Sequence, residues 1–236
     1  MLLATLSPTL PSSAGPSSYG ARLTSRVQLL RQSTSHAHQA IEAVPCMRRL
    51  LAPDYSLSEY RLLLARLLGY IEPLEMHLAA CPDTRFQLAS PRSPKLRSDL
   101  AELGVPRPER SASPPSFTGL DFQDASTHAG IAYVFEGATL GGQVIRRALT
   151  AHLGQVVSQA VSYFDCYNGD QGRFWRRIIQ QIDHAPDLDN ARMADAAKLI
   201  FSSLSEWLAQ RASPELHAAP AALARCPFAH AGAQLV

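Results

Sequence analysis

The sequence predicts an all-α, single-domain helical bundle, and three observations carry that expectation. Apolar residues recur at steps of three and four through most of residues 22–211. Long alternating runs of β-branched residues, the mark of strands, are absent. A chain of 236 residues, 46% apolar and 18% charged, has the length and composition of one domain with a sizeable core. Residues 1–21 and 212–236 are rich in Ser, Pro, Gly and Ala, and read as a disordered lead and a flexible tail.

The elements follow in order. A first helix is expected from Leu23 to Ala43, stopping before Pro45. A second opens at Ser56, where Ser56 and Glu59 form a capping box, and carries Leu63, Leu64, Leu67, Leu68 and Ile71. Gly69 and Pro73 suggest a bend or break in its later half. Residues 84–118 are proline-rich and read as a long surface connection holding one short helical piece, Leu96 to Leu103. A third long helix is expected over Phe122 to Leu149, a fourth over Gln155 to Phe164 and a fifth over Gln171 to Ile182. The last begins after the acidic caps Asp187 and Asp189 and ends near Gln210.

Bulk properties exclude several function classes. A net charge of +2 gives no electrostatic case for nucleic acid or a membrane surface. No apolar run approaches the roughly 18 residues that span a bilayer. The opening Met1-Leu2-Leu3-Ala4-Thr5-Leu6 lacks a basic segment and soon meets Pro8 and Pro11, so no secretory signal is expected. Cys46, Cys81, Cys166 and Cys226 are scattered without metal-binding spacing, and read as reduced thiols in a cytoplasm.

Two helices carry residues that need a reason. On the first, Leu23, Val27, Leu30, Thr34, His38 and Ile41 form one stripe of a 3.6-residue helix. His38 therefore lies on the inward stripe and His36 points outward, with Arg31 two turns before His38 on nearly the same side. A lone histidine on such a stripe is more often a hydrogen-bonded core residue than a ligand. A cation beside a buried imidazole would suit a planar anionic ligand. On the third helix, Gly130, Val134, Gly137 and Gly141 share a face, and three helical glycines cost about 3 kcal/mol against alanine. That face lets something flat, or another helix, approach the backbone closely. A phosphate-cradling loop is excluded, because no GxxxxGK[ST] is present and no strand precedes the glycines.

Together these segments resemble the haem oxygenase family, most closely its bacterial, phytochrome-associated, biliverdin-producing members. Leu30-Arg31-Gln32-Ser33-Thr34-Ser35-His36-Ala37-His38-Gln39-Ala40-Ile41-Glu42 resembles the pattern LRxxTxxxHxxxE. Tyr133-Val134-Phe135-Glu136-Gly137-Ala138-Thr139-Leu140-Gly141-Gly142 is similar to the pattern YVxEGxTLGG. Gly69-Tyr70-Ile71-Glu72-Pro73-Leu74-Glu75 and Leu96-Arg97-Ser98-Asp99-Leu100-Ala101-Glu102-Leu103-Gly104 also fit, and the match spans roughly residues 23–210.

The resemblance implies haem b held between a proximal and a distal helix, as both substrate and cofactor. His38 would ligate iron as a neutral imidazole, with Glu42 fixing its tautomer. Gly137, Gly141 and Gly142 would leave room for oxygen against a meso carbon. Arg31, Tyr133, and Arg173 and Arg177 with their neighbour Arg176 would contact the propionates. The reaction implied is cleavage of haem to biliverdin, carbon monoxide and ferrous iron. It needs O2 and electrons from an external donor, a reductant protein or a small reductant. A bacterial phytochrome is the implied user of the product. Ala138 departs from the mammalian-type pattern, which has an aspartate there, and this puts the proton-delivery route in question. Two other readings stay open: a haem-binding or haem-sensing module without turnover, and a thiamine-degrading type of enzyme on the same scaffold.

Overall fold

In the computed structural model, which describes residues 25–105 and 114–210, the four longest helices start on side-chain caps. The expected lead and tail lie outside the described residues. Helix α1, Arg26–Ala43, begins with a capping box in which the Ser25 hydroxyl accepts the Gln28 amide and Gln28 returns to the Ser25 amide. Pro45 does end it, and then does something unforeseen. At the first turn a proline loses no hydrogen bond, so Pro45 opens a short α2, Pro45–Arg49. Helix α3, Leu57–Ala79, starts on the expected Ser56–Glu59 box, and Arg49 clamps Glu59 from outside at 2.8 Å. The expected break at Pro73 does not occur. The helix runs through it, carried by the buried side chains of Tyr70, Ile71 and Leu74 around the missing hydrogen bond. Gly69 serves a neighbour, because a Cβ there would lie 3.0 Å from Trp207 Cζ2.

Helix α4 is Ser93–Glu102, and α5 is the 29-residue helix Ala125–Leu153, capped by Asp124 through the Thr127 amide at 2.8 Å. Gly154, at φ 67°, terminates α5. The fourth helix expected over Gln155 to Phe164 is not formed. A single 3-10 turn, Gly154–Val157, leads into irregular backbone. Side chains from distant elements take over the backbone groups a helix would have paired. The Tyr60 hydroxyl donates to the Ala160 carbonyl at 2.6 Å, and Asp99 accepts the Ser162 and Tyr163 amides at 2.9 Å each. Helix α6 is Gln171–His184. Helix α7, Asn190–Ala209, is capped by Asp189, whereas Asp187 pairs with Arg85 at 2.7 Å.

No strand occurs among the described residues. Helices α1 and α5 both pack against α7, α6 bridges α5 and α1, and α3 lies on α4 and α7. The core is a continuous cluster in which Leu30, Leu64, Leu74, Leu100, Ile131 and Ile200 are sealed from solvent. Each such side chain contributes about 1.5–3 kcal/mol of transfer free energy. Where α5 crosses α7, a Cβ on Gly130 would come within 2.3 Å of the Met193 carbonyl oxygen. Gly130 thus belongs to a helix–helix seam. The common support of α1 and α5 on α7 leaves a space between them. Among the described residues no helix is long and apolar enough to cross a membrane.

Candidate functional site

The space between α1 and α5 is a cavity of about 380 Å³, within the usual range of small-molecule sites. From α1 it is lined by Arg31, Thr34, His38 and Glu42, and from α5 by the stretch Tyr133 to Gly142 with the exception of Glu136. The α1 stripe is sealed at Leu30 and Thr34 and opens at His38, whose side chain keeps 44% of its surface. His36 is exposed, as its phase on the helix predicts. The His38 ring meets the edge of Phe201, with centroids 5.5 Å apart and planes at 79°. Its Nδ1 lies 3.4 Å from Glu42 Oε1, a buried oxygen that accepts no hydrogen bond. A proton on Nδ1 directed to that carboxylate leaves the Nε2 lone pair for a ligand. Among the described residues no group of three or more His, Cys, Asp or Glu could hold a metal ion.

Arg31 is exposed at the rim, and Tyr133 is half-buried, its ring 5.5 Å from Trp175. Burial raises the Tyr133 phenol above its ordinary pKa, against smaller opposing effects of a Thr34 hydrogen bond and the Arg31 charge. Tyr133 is thus a neutral hydroxyl at neutral pH. On α5 the glycines divide. Gly137 and Gly141 line the cavity, and a Cβ on Gly137 would meet Trp175 Cζ3 at 3.3 Å. Gly142 also lines it, yet a Cβ there would lie 2.1 Å from the Phe164 carbonyl oxygen, so packing alone requires that glycine.

Arg173 and Arg177 are exposed on α6 and do not line the cavity. Each is two residues from Trp175, which does line it, and two residues of helix turn the side chain by about 200°. The fit to a flat, largely apolar group with an anionic edge rests on what remains. Apolar walls include Leu67, Val134, Phe135, Phe201 and Leu204, an imidazole backed by an orphaned carboxylate oxygen stands on one side, and Arg31 marks the edge.

Sequence reasoning missed a buried polar cluster beside this cavity. Arg92 and Glu136 are each 2% exposed, with Arg92 Nη2 3.1 Å from Glu136 Oε2, and the Tyr167 hydroxyl donates to Glu136 Oε1 at 2.7 Å. Burial pushes the Tyr167 phenol well above its ordinary range. The signal in the sequence was Glu136 itself, a charge within a stretch that is otherwise apolar or small, which a buried helix face can hold only with a partner. Asp165 anchors a second network, accepting from Gln143 at 3.0 Å, Gln171 at 2.8 Å and the Gly169 amide at 3.0 Å. It holds the start of α6 against α5.

Known proteins are similar to this chain. A family model described as "Heme oxygenase" matches residues 24–210. The heme oxygenase of Xanthomonas campestris pv. campestris (strain 8004) is 33% identical over 154 residues, covering 63% of this chain and 85% of that protein. Among solved structures, heme oxygenase-1 of Synechocystis sp. PCC 6803, in complex with heme, superposes with a TM-score of 0.65 at 18% identity. It covers 78% of this chain and 90% of the other. The heme oxygenase of Leptospira interrogans gives the same TM-score and identity, over 78% of this chain and 98% of its own. At these identities the superpositions speak for the fold.

Proposed function

Because the chain belongs to the haem oxygenase family, we propose that it opens haem b at a meso carbon to give biliverdin, carbon monoxide and ferrous iron. The observation that carries this reading is that His38 on α1 and the side-chain-poor stretch of α5 line one cavity from separate walls. Haem is both substrate and cofactor, and when bound its iron activates O2 with electrons from an external donor. His38 would hold the haem iron, oriented by Glu42 behind it and Phe201 at its edge. Gly137 and Gly141 keep the α5 wall low, Gly142 beside them is fixed by packing, and the apolar walls exclude bulk water. Arg31 and Tyr133 are the propionate contacts this cavity supports; Arg173 and Arg177 lack that support. The resemblance to phytochrome-associated relatives favours a cytoplasmic role supplying chromophore to a bacterial phytochrome.

Purified protein mixed with haemin, a reducing system, air and catalase should lose its Soret band while a broad red biliverdin absorption grows. His38→Ala should abolish the native Soret signature. Arg31→Ala should weaken haem affinity by roughly tenfold, and Arg173→Ala and Arg177→Ala should change it little. Tight haem binding that stays spectrally unchanged with several competent reductants would sink the oxygenase reading in favour of a haem carrier or sensor.

A further inference from the structure

Three of the charged or imidazole side chains lining the cavity, Arg31, His38 and Glu42, come from α1. Among the described residues the fourth, Arg92, is the only one any other element supplies. Its guanidinium is fixed from several directions. Nη2 lies 3.1 Å from Glu136 Oε2 and donates to the Tyr167 hydroxyl at 3.2 Å, while Nη1 donates to the Ser90 carbonyl at 3.1 Å. The Tyr167 ring lies 4.9 Å from the guanidinium carbon and is itself stacked on Phe174. Glu136 is held in turn by the Tyr167 hydroxyl and by the Ala89 amide at 3.3 Å.

Two consequences follow from charge and geometry. A guanidinium has five N–H donors, and these contacts use three. Two remain for something else. Glu136 does not line the cavity and Arg92 does, so the pair presents its positive end to the enclosed space. In a low-dielectric setting that field is felt far more strongly than in water. A buried ion pair is a poor source of stability compared with apolar packing of the same volume. Packing therefore gives no reason for a cation at this wall.

We propose that Arg92 forms a subsite for a small anion on the side of the cavity that α1 does not supply, with Glu136 and Tyr167 as the positioning residues that aim it. The inference rests on the haem-binding reading above, and its ligands are the small anions that bind ferric haem, of the azide and hydroxide class. It gives the cavity, where position 138 is alanine, a fixed positive charge on a wall that α1 does not supply.

The test is azide titration of the haem-loaded ferric protein, followed through the Soret shift, with carbon monoxide on the ferrous form as the neutral comparator. Replacing the pair together, Arg92→Leu with Glu136→Leu, should weaken azide binding by roughly tenfold and leave carbon monoxide within about twofold. Glu136→Gln keeps the shape and uncovers the arginine charge, so azide should bind several-fold tighter. Opposite signs in the two variants are what a merely structural role would not produce. Azide affinity unchanged in Glu136→Gln overturns the proposal, even where the double variant fails to load haem. Parallel losses of azide and carbon monoxide overturn it too. A wild-type protein that never develops a Soret band would instead bring down the haem reading beneath it.

Discussion

Different turns of α5 use the same residue for opposite purposes. At Gly130 and Gly142 the space for a Cβ is filled by backbone, the Met193 carbonyl at 2.3 Å and the Phe164 carbonyl at 2.1 Å. At Gly137 it is bounded by the outer ring of Trp175 at 3.3 Å, a side chain on the neighbouring helix and a wall of the cavity. Backbone cannot step aside without its whole element, whereas an indole can tilt by a few tenths of an ångström. The turns at Gly130 and Gly142 are therefore locked by packing, and the turn at Gly137 is bounded by a side chain that can yield. Packing, one of the two uses set against each other in the sequence, operates at Gly130 and Gly142, while Gly137 borders the cavity.

The sharpest way to break this contrast is Gly142→Ala. A methyl 2.1 Å from a carbonyl oxygen forces α5 and the 161–164 segment apart, and should cost about 3 kcal/mol or more. For a domain of this size that lowers the melting temperature by roughly 6–12 °C. Gly130→Ala should behave alike, by parting α5 from α7. A melting curve unmoved by either substitution would mean that these two turns are no tighter than the one at Gly137.

A smaller effect is expected at Asp99, which sets one side of the Gly142 contact. Its carboxylate accepts the Ser162 hydroxyl at 2.6 Å and the amides of Ser162 and Tyr163, and so pins the strand of backbone that presents the Phe164 carbonyl. Asp99→Asn removes one acceptor of this set and should cost about 1–3 kcal/mol. Burial raises the Asp99 pKa above its ordinary value, against smaller opposing effects of those hydrogen bonds. Between its unfolded and folded values the folded state then binds more protons, so the residue's contribution to stability rises as pH falls through that window. The Asn variant should lack this slope in chemical denaturation. An identical slope in both proteins would show that Asp99 is not held as described.

What could be read from the sequence follows the range of the interactions involved. The starts of α3 and α7 were legible because Ser56, Glu59 and Asp189 act within three residues of themselves. Residues 155–164 were misread as a helix because what decides them is the Tyr60 hydroxyl, 100 positions away, and Asp99, more than 60 away. No local period carries that information. The same holds at the cavity. His38 and the α5 glycines stand in local patterns, but Arg92 sits in a proline-rich stretch that reads as a surface connection. Only the fold brings it against Glu136 and inward. Arg173 and Arg177 show the converse: a run of like residues on one helix says nothing about which of them faces in until Trp175 is seen to occupy the inner side.

The smallest effect on stability, and the most telling for the comparison, is expected at Gly137. Alanine there gains about 1 kcal/mol of helix propensity and gives some back by pressing on Trp175, so net stability should move by less than about 1 kcal/mol. Trp175→Leu removes the ring atoms in the way. In that background Gly137→Ala should become more favourable by roughly 0.5–1 kcal/mol, a coupling that a double-mutant cycle reads directly. The cavity should respond where the fold does not, because the added methyl presses on Trp175 and both positions line it. A stable Gly137→Ala protein with an altered haem spectrum or slowed turnover would assign this glycine to the cavity. Collapse of the fold on the scale of Gly142→Ala would assign it to packing, and α5 would then be a single uniform seam from Gly130 to Gly142.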